Sequence, residues 1–303
     1  MTESRTRRRP KGLFLGLATV DITYPVAEIP GRNAKISVAS QHLAAGGPAT
    51  NAAITFACLG GRSSLVTAVG AHSLGSVIRR DLEASGVALH DLARRRNVAP
   101  PVSSIMVLQS TGERTVVSAN AAAFSPLPAR FNPRWLQGVS IVQVDGHYMP
   151  LCIAGARSAR SRGIPVVLES GSWKDGMEQL LPFVDIAVCS ADYHPPGCRD
   201  QDDVMEFLAK QGIRRMAITR GASAIRFVEQ GERGRIAVEK IRPIDTLGAG
   251  DVFHGAFCYY ASQPGRNFRQ ALAAAATVAT FSCRYQGTRS WIKAFADAQK
   301  PAV

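Results

Sequence analysis

The chain has 303 residues, of which 46% are hydrophobic, and its formal net charge at pH 7 is +13. These values suit a large globular domain and exclude a disordered, fibrous or membrane-spanning chain, since no apolar run approaches the roughly 20 residues that cross a bilayer. The positive charge is dispersed and is not interleaved with aromatic residues, which argues against a nucleic-acid partner. Residues 1–11 are predicted to form a disordered basic tail without an apolar signal run, so we expect a cytoplasmic protein.

The first predicted elements are strands and one small helix. Residues 12–21 form an apolar run that ends in the acid Asp21, as a buried parallel strand would. The segment that follows is broken by proline and glycine, and alternating pieces such as 35–40 predict short strands. Residues 50–60 are small and apolar and end in glycine, which predicts a tightly packed helix with a glycine stop.

Strands and helices alternate along most of the remaining chain. A β-hairpin is predicted at 102–119, where two β-rich runs flank a turn that contains Gly112. Short apolar runs at 139–145, 164–170 and 184–190 predict further buried strands. The helices predicted after the hairpin lie near residues 150–162, 174–181, 201–211, 249–261 and 268–283.

This order of elements predicts the fold class. Repeated strand–helix units form α/β folds, in which a mainly parallel sheet is covered on both faces. The β-rich segments near 23–45 and 102–119 do not fit that alternation. We therefore expect them to form a small accessory sheet inserted into the main domain.

Residues 245–257, DTLGAGDVFHGAF, place Gly248, Ala249 and Gly250 directly before Asp251 at the expected start of a helix. Helix N-termini expose unpaired N–H groups with partial positive charge, and glycine lets a ligand approach this backbone closely. The turn is therefore predicted to bind a phosphoryl group. The carboxylate of Asp251 would repel such an anion, but it is suited to accepting the proton of an attacking hydroxyl. The alternative interpretation is an ordinary helix start whose acid is stabilised by the helix dipole.

These residues closely resemble the C-terminal signature of the PfkB/ribokinase-like carbohydrate kinases. Residues 44–61, AAGGPATNAAITFACLGG, resemble that family's N-terminal signature. The likeness extends over residues 12–292, and within the family the chain looks most like the sulfofructose kinase branch. The resemblance implies a three-layer α/β/α ribokinase-like fold that occupies 12–303 as a single domain. It also implies that the two β-rich segments form a small β lid over the sugar.

The implied activity is ATP-dependent phosphorylation of a sugar hydroxyl, with Mg²⁺ as the metal. By resemblance, Asp251 is the base and the turn from Gly248 to Gly250 is the anion hole. The residues that match sugar-binding positions of the family are Asp21, Gly46, Gly47 and Asn51. Pro48 stands where ribokinase has a lysine, which argues against a ribose-specific site.

The segment 219–227 resembles the nucleotide side of the family's site. Its candidates for phosphate or ribose contacts are Thr219, Gly221 and Ser223, and a plain strand–turn–strand is the alternative. Ser190 stands where the family often has the asparagine of an Asn-x-x-Glu motif tied to metal and phosphate. Asp192 lies one position before the place of that glutamate.

Three further residues are candidates for the site. Asp245 matches a position that helps bind a monovalent cation in some members, although capping of the turn explains it equally well. His147 follows a predicted strand, so it either faces the sugar or packs as a loop histidine. Arg32 lies in the expected lid, where its charge suits an acceptor sugar with an anionic group.

Other classes of function stay open at this stage. The first alternative is a nucleoside kinase of the same fold, and the second is a non-catalytic kinase-like or nucleic-acid-binding protein. The intact glycine turn and Asp251 argue against the second. A homodimer formed through the lid is also suggested, because members of the family often dimerise through these strands.

Overall fold

The computed structural model describes residues 9–125, 127 and 130–299. Most of the tail expected at 1–11 lies outside the described residues, and Lys11 already belongs to the first strand. The strands are β1 Lys11–Leu15, β2 Thr19–Val26, β3 His42–Gly46, β4 Arg62–Thr67, β5 Val87–Asp91, β6 Val102–Leu108, β7 Arg114–Ser118, β8 Ile141–Val144, β9 Val166–Ser170, β10 Ile186–Ser190, β11 Arg215–Arg220, β12 Ser223–Glu229 and β13 Glu232–Ile236. The α-helices are α1 Pro48–Cys58, α2 Gly75–Ala84, α3 Met149–Arg160, α4 Met177–Leu180, α5 Gln201–Lys210, α6 Ala249–Ala261, α7 Phe268–Ser282 and α8 Trp291–Ala298, and short 3₁₀ helices cover Ala122–Phe124, Pro133–Leu136 and Leu181–Phe183.

Nine of the described strands form one large sheet in the order β13-β12-β11-β10-β9-β8-β1-β4-β5. From β11 to β5 neighbouring strands are parallel, and β12 and β13 add an antiparallel edge. Successive side chains alternate between two hydrophobic cores: Phe14 packs into one core with α1, α6 and α7, and Leu13 and Leu15 into the other with α3 and α5. The predicted three-layer α/β/α fold is confirmed. None of the described helices is long and apolar enough to cross a membrane.

The prediction of one strand over 12–21 is wrong. β1 ends at Leu15, and β2 begins at Thr19 in a different sheet. The break falls at Gly16, where an added Cβ would lie 2.1 Å from the carboxylate of Asp145. Asp21 therefore lies within a strand of the second sheet and does not end a strand of the large one.

Four described strands form the second, small sheet in the order β3-β2-β6-β7. β6 and β7 are the hairpin predicted at 102–119. The strand expected at 35–40 is absent from the described structure, because Ile36 and Val38 remain 40% and 36% exposed and have no layer to pack against. The strand that pairs with β2 on this side is β3, which begins at His42.

Two elements were not expected from the sequence. β5 follows α2 and forms the other edge of the large sheet. α8 follows α7 and buries Trp291 and Phe295 in the same core as α7. The connection between α7 and α8 returns the chain to the helix starts of α1 and α6, which is where the candidate site lies.

Candidate active site

Asp251 lies in the first turn of α6, beside the carboxyl ends of the parallel strands. The helix begins at Ala249, and Gly248 is its N-cap in a left-handed conformation with φ of 70°. An added Cβ at Gly248 would lie 2.8 Å from Thr288 Cγ2, so both the dihedral and the space require glycine. The tight turn at Gly248 thus fixes where α6 begins and places Asp251 at the edge of a cleft.

Close packing of α1 on α6 brings the two sequence signatures together. An added Cβ at Gly255 would lie 2.3 Å from the carbonyl oxygen of Ala52, so glycine is what allows the two helices to approach this closely. Across this contact the Asn51 amide Nδ2 donates a hydrogen bond of 2.7 Å to Asp251 Oδ2. Asn51 was predicted from the N-terminal signature, and it is in direct contact with the predicted base.

The surroundings of Asp251 weaken it as an acid. Burial raises its pKa from 3.8 to about 6, and the nearby charges of Asp21 and Asp145 act in the same direction. The hydrogen bond from Asn51 and the charge of Arg114 oppose this rise. A carboxylate with a pKa near 6 is largely ionised at pH 7 and is a better proton acceptor than an ordinary aspartate.

Another predicted sugar-binding residue, Asp21, is a second buried acid, and Gly46 lies directly beside it. Thr19 Oγ1 donates a 2.6 Å hydrogen bond to Asp21 Oδ1, and burial raises the pKa of this carboxyl. An added Cβ at Gly46 would lie 1.9 Å from Asp21 Oδ2, so Gly46 leaves the space that the carboxylate occupies. Gly47 is the N-cap of α1 with φ of 94°, and an added Cβ there would lie 2.5 Å from the carbonyl oxygen of Leu17.

A cleft of about 600 Å³ extends from Asp251 along the ends of β10 and β11. Its lining includes the turn Thr246–Asp251 and three of the predicted nucleotide residues, Thr219, Gly221 and Ser190. An apolar part of the wall is formed by Ile225, Val238, Ile241, Pro243, Ala276 and Ala279. Ser223, the fourth predicted nucleotide residue, begins β12 with an exposed side chain and lies outside the lining of this cleft as described.

Asp245 holds two backbone segments beside the cleft. Its Oδ1 accepts a hydrogen bond of 2.8 Å from the Leu247 N–H, and its Oδ2 accepts one of 2.8 Å from the Gly287 N–H. The side chain is buried, and no group of three His, Cys, Asp or Glu side chains suited to a metal ion occurs among the described residues. These contacts are those that the turn-capping interpretation requires.

His147 and Arg32 lie away from the described lining of the cleft. The backbone N–H of His147 donates to Asp145 Oδ1 at 2.9 Å, and burial lowers the pKa of its ring. Arg32 lies in the exposed loop between β2 and β3. These two residues are thus not part of the cleft wall, and their contact with the sugar stays a prediction.

Two charged residues near Asp251 belong to no sequence motif and were therefore not predicted as site residues. Arg114 begins β7 and lines the cleft, where its charge lowers the pKa of Asp251. Glu169, one residue before the end of β9, is a buried carboxyl that accepts a 2.8 Å hydrogen bond from Gln143 Nε2, and burial raises its pKa well above 4.5. Both belong to segments that the sequence identifies only as strands, and only the fold brings them to the cleft.

Residues 10–294 match the family described as pfkB family carbohydrate kinase. The chain therefore belongs to this family of sugar kinases, whose members transfer a phosphoryl group to an alcohol. It is 24% identical over 293 residues to a ribokinase of Arabidopsis thaliana, a match that covers 92% of this chain and 77% of that one.

Solved structures share the fold at lower identity. The structure of Arabidopsis thaliana ribokinase complexed with ribose and ATP has a TM-score of 0.75 and 20% identity, and the match covers 94% of this chain and 98% of that one. The adenosine kinase from Sinorhizobium meliloti has a TM-score of 0.79 and 20% identity, with 96% of this chain and 100% of that one covered. The ribokinase-like fold is thus confirmed, and both sugar and nucleoside kinases have it.

Proposed function

We propose that the chain transfers the terminal phosphoryl group of ATP to a sugar hydroxyl, with Asp251 as the base. The observation that carries this proposal is the position of Asp251 at the wall of the cleft, where it has a pKa of about 6 and the buried Asp21 lies close enough to act on that pKa. Asn51 occupies Oδ2, which leaves Oδ1 to accept the hydroxyl proton. Proton removal at this point makes the oxygen a stronger nucleophile.

The glycine turn is suited to the transferred group. The Ala249 N–H is directed to the Thr246 carbonyl at 3.3 Å, whereas the N–H groups of Gly248 and Gly250 have no hydrogen bond within the described part of the chain. Both N–H groups are therefore available to an anion at the positive end of α6. Arg114 adds a full positive charge at the same wall. We propose these groups as the anion hole.

The chemistry of the cleft fits ATP. Its volume of about 600 Å³ and its apolar wall suit a purine base, and Ser190, Thr219 and Gly221 supply polar groups at strand ends. Magnesium is normally held by one or two carboxylates together with phosphate oxygens, and Glu169, Asp192 and Glu239 face the cleft. Bound Mg²⁺ would neutralise phosphate charge. We propose a cytoplasmic location because the proposed reaction uses ATP.

The test is phosphoryl transfer from ATP to a panel of sugars and nucleosides by the wild type and Asp251→Asn. We expect kcat to fall about 10²- to 10⁴-fold in the variant, because the base is lost. Binding of ATP and the folded state should persist, since the variant keeps the shape of the side chain. Near-native turnover by Asp251→Asn would show that Asp251 is not the base.

The acceptor is proposed to be a sugar, with a nucleoside as the alternative that the same panel separates. Arg32 is exposed in the loop before β3, so its guanidinium is available to an anionic group on the far end of a sugar. We propose that anionic sugars are preferred through Arg32. The ratio of kcat/KM for anionic and neutral sugars should then fall in Arg32→Ala, and a preference for neutral sugars in the wild type would contradict the idea.

A homodimer is proposed through the small sheet. Leu43 and Val117 expose 50% and 67% of their surface on its two edge strands, and Ile29 in the adjoining loop exposes 43%. Apolar side chains exposed together on one sheet mark an interaction surface more often than a free one. A second copy of the chain would cover them.

A further inference from the structure

Arg289, in the connection between α7 and α8, is surrounded by hydrogen-bond acceptors beside Asn51 and Ala45. Its Nε donates to the carboxylate of Asp81 in α2, at 3.2 Å from Oδ2, and its Nη2 lies 3.1 Å from the same oxygen. Nη1 donates to Asn51 Oδ1 at 3.0 Å and to the Thr288 carbonyl at 3.1 Å. Nη2 also donates to the Ala45 carbonyl at 2.6 Å. Each of the three guanidinium nitrogens therefore has at least one hydrogen-bond partner, and the ion pair with Asp81 adds a second contact for Nη2.

These contacts decide which way the Asn51 amide faces. An arginine side chain carries only donors, so the atom of Asn51 that faces Arg289 must be the oxygen. The nitrogen then points the other way and donates to Asp251 Oδ2 at 2.7 Å. With the opposite orientation, the Asn51 oxygen would face a carboxylate and its NH₂ would face a cation.

The loop that carries Arg289 is itself fixed from two sides. Asp245 holds the Gly287 N–H at 2.8 Å, and the Trp291 indole Nε1 donates to the Thr288 carbonyl at 3.1 Å. Asp81 completes the frame by accepting the Ala45 N–H at 2.8 Å beside Gly46. Arg289 is thus held rigidly on the side of Asn51 opposite to Asp251.

We propose that Arg289 is a positioning residue for Asp251: it orients the Asn51 amide, which in turn holds one oxygen of the carboxylate. This inference rests on the proposed role of Asp251 as the base. The contacts of Arg289 within the chain engage Nε and both Nη atoms, which favours a positioning role over direct binding of an anionic substrate. Lysine cannot replace it, because an ammonium group has three donors and no planar fork.

The direct test is the titration of Asp251, followed by the ¹³C shift of its carboxyl carbon between pH 4 and 9 and assigned by its loss in Asp251→Asn. In Arg289→Met the Asn51 amide loses its fixed orientation, so the hydrogen bond that lowers the pKa of Asp251 weakens. We expect the carboxyl to titrate at higher pH than in the wild type. Arg289→Lys, which keeps the charge, should show the same direction of change.

Arg79→Met is the matched control. Arg79 lies in α2, as Asp81 does, and it pairs at 2.9 Å with a buried acid, Asp91, but none of its hydrogen bonds or ion pairs involves Asn51. The control therefore loses a comparable ion pair without a change in the titration of Asp251. Adding Arg289→Met to Asn51→Ala should change the titration no further, because the intermediary is already absent.

Kinetics give the second readout. We expect Arg289→Met to lower kcat about 10- to 100-fold, to move the acid limb of kcat to higher pH and to leave the KM for ATP nearly unchanged. If Arg289→Met does not fold, Arg289→Lys carries both measurements. A wild-type titration of Asp251 in a folded Arg289 variant overturns the proposal, and so does full rescue by lysine. Activity retained in Asp251→Asn would instead refute the proposed base while leaving the titration result intact.

Discussion

Asp251 illustrates a conflict between folding and chemistry within one residue. Burial makes its ionised form unfavourable, and the same burial raises its pKa to about 6. The same effect raises the pKa of Asp21 and of Glu169. Three carboxyl groups close to one cleft are thus held in surroundings that resist their charge. Such clustering of perturbed acids is typical of sites that handle protons and bind cations.

The cost of this arrangement should appear as a dependence of stability on pH. The pKa of Asp251 is higher in the folded chain than its ordinary value of 3.8, so ionisation opposes folding. The resulting loss in the free energy of unfolding is absent below about pH 4 and complete above about pH 6. Asp251→Asn removes it, and we expect the variant to melt a few degrees above the wild type at pH 8 and at the same temperature near pH 4.

Thermal unfolding of both proteins between pH 4 and 8 measures this difference. Glu206→Gln is the control, because Glu206 is an exposed acid in the middle of α5. Its curve should follow that of the wild type. A gain in melting temperature for Asp251→Asn that is independent of pH would contradict the assignment of a raised pKa to Asp251.

The two glycines of the turn should respond in opposite ways to alanine. An added Cβ at Gly250 meets no atom within 4 Å, and alanine is the better helix former by about 0.5–1 kcal/mol. Gly250→Ala should therefore melt no lower than the wild type, while its methyl group narrows the anion hole and lowers kcat/KM about 10-fold or more. Gly248→Ala should lose stability, because Gly248 has φ of 70° and the Cβ of alanine there would lie 2.8 Å from Thr288 Cγ2. Unchanged kcat/KM in Gly250→Ala would place the anion hole elsewhere.

At the scale of elements, local chain chemistry was enough to predict most of the large sheet. Apolar runs between glycines and polar turns correctly predicted β8, β9 and β10, since strands buried on both faces carry a continuous apolar signal. The prediction of one strand over 12–21 was wrong because the apolar run continues without interruption across Gly16, where the chain passes from one sheet to the other. Only the contact of Gly16 with Asp145, 129 residues away, explains the break.

The candidate site was predictable in part for the same reason. Asp251, Asn51 and the glycine turn lie in two compact motifs at helix starts, where residue type and local geometry are tightly linked. Arg289 and Arg114 lie in a loop and at a hairpin strand with no such link. Their roles depend on pairings between distant segments, which no local pattern encodes.

The hairpin of β6 and β7 contacts the glycine turn directly. The Gly112 carbonyl accepts hydrogen bonds from the Thr246 N–H at 3.2 Å and from Thr246 Oγ1 at 2.9 Å. A net hydrogen bond contributes about 1 kcal/mol, or about five-fold in an opening equilibrium. We expect Thr246→Val to raise hydrogen exchange of the hairpin amides by about that factor.

Hydrogen exchange read by mass spectrometry on peptides of 102–118 tests this prediction. Thr277→Val is the control, since its hydroxyl donates to Ala273 within the exposed face of α7. The control should leave hairpin exchange unchanged. Equal exchange in the wild type and Thr246→Val would mean that strand pairing alone holds the hairpin against the turn.

At the scale of the whole molecule, the small sheet places the buried acid Asp21 on one face and the residues of the proposed dimer contact on the other. Asp21 pairs with Ala44 and Ser103 on the face that carries the buried polar groups. The next residue, Ile22, pairs with Leu43 and Ser104, and Ser104 pairs with Val117. Because side chains alternate along a strand, the acid and the exposed apolar row lie on opposite faces of one sheet.

This geometry makes the proposed homodimer testable without disturbing Asp21. Leu43→Lys together with Val117→Lys places charges at the two ends of the exposed row, where a second copy would have to bury them. We expect the wild type to sediment as a dimer at micromolar concentration and the double variant as a monomer. Ala273→Lys, on the exposed face of α7, adds charge elsewhere and should remain dimeric. The same sedimentation for wild type and double variant, with both folded, would show that the apolar row does not join two copies.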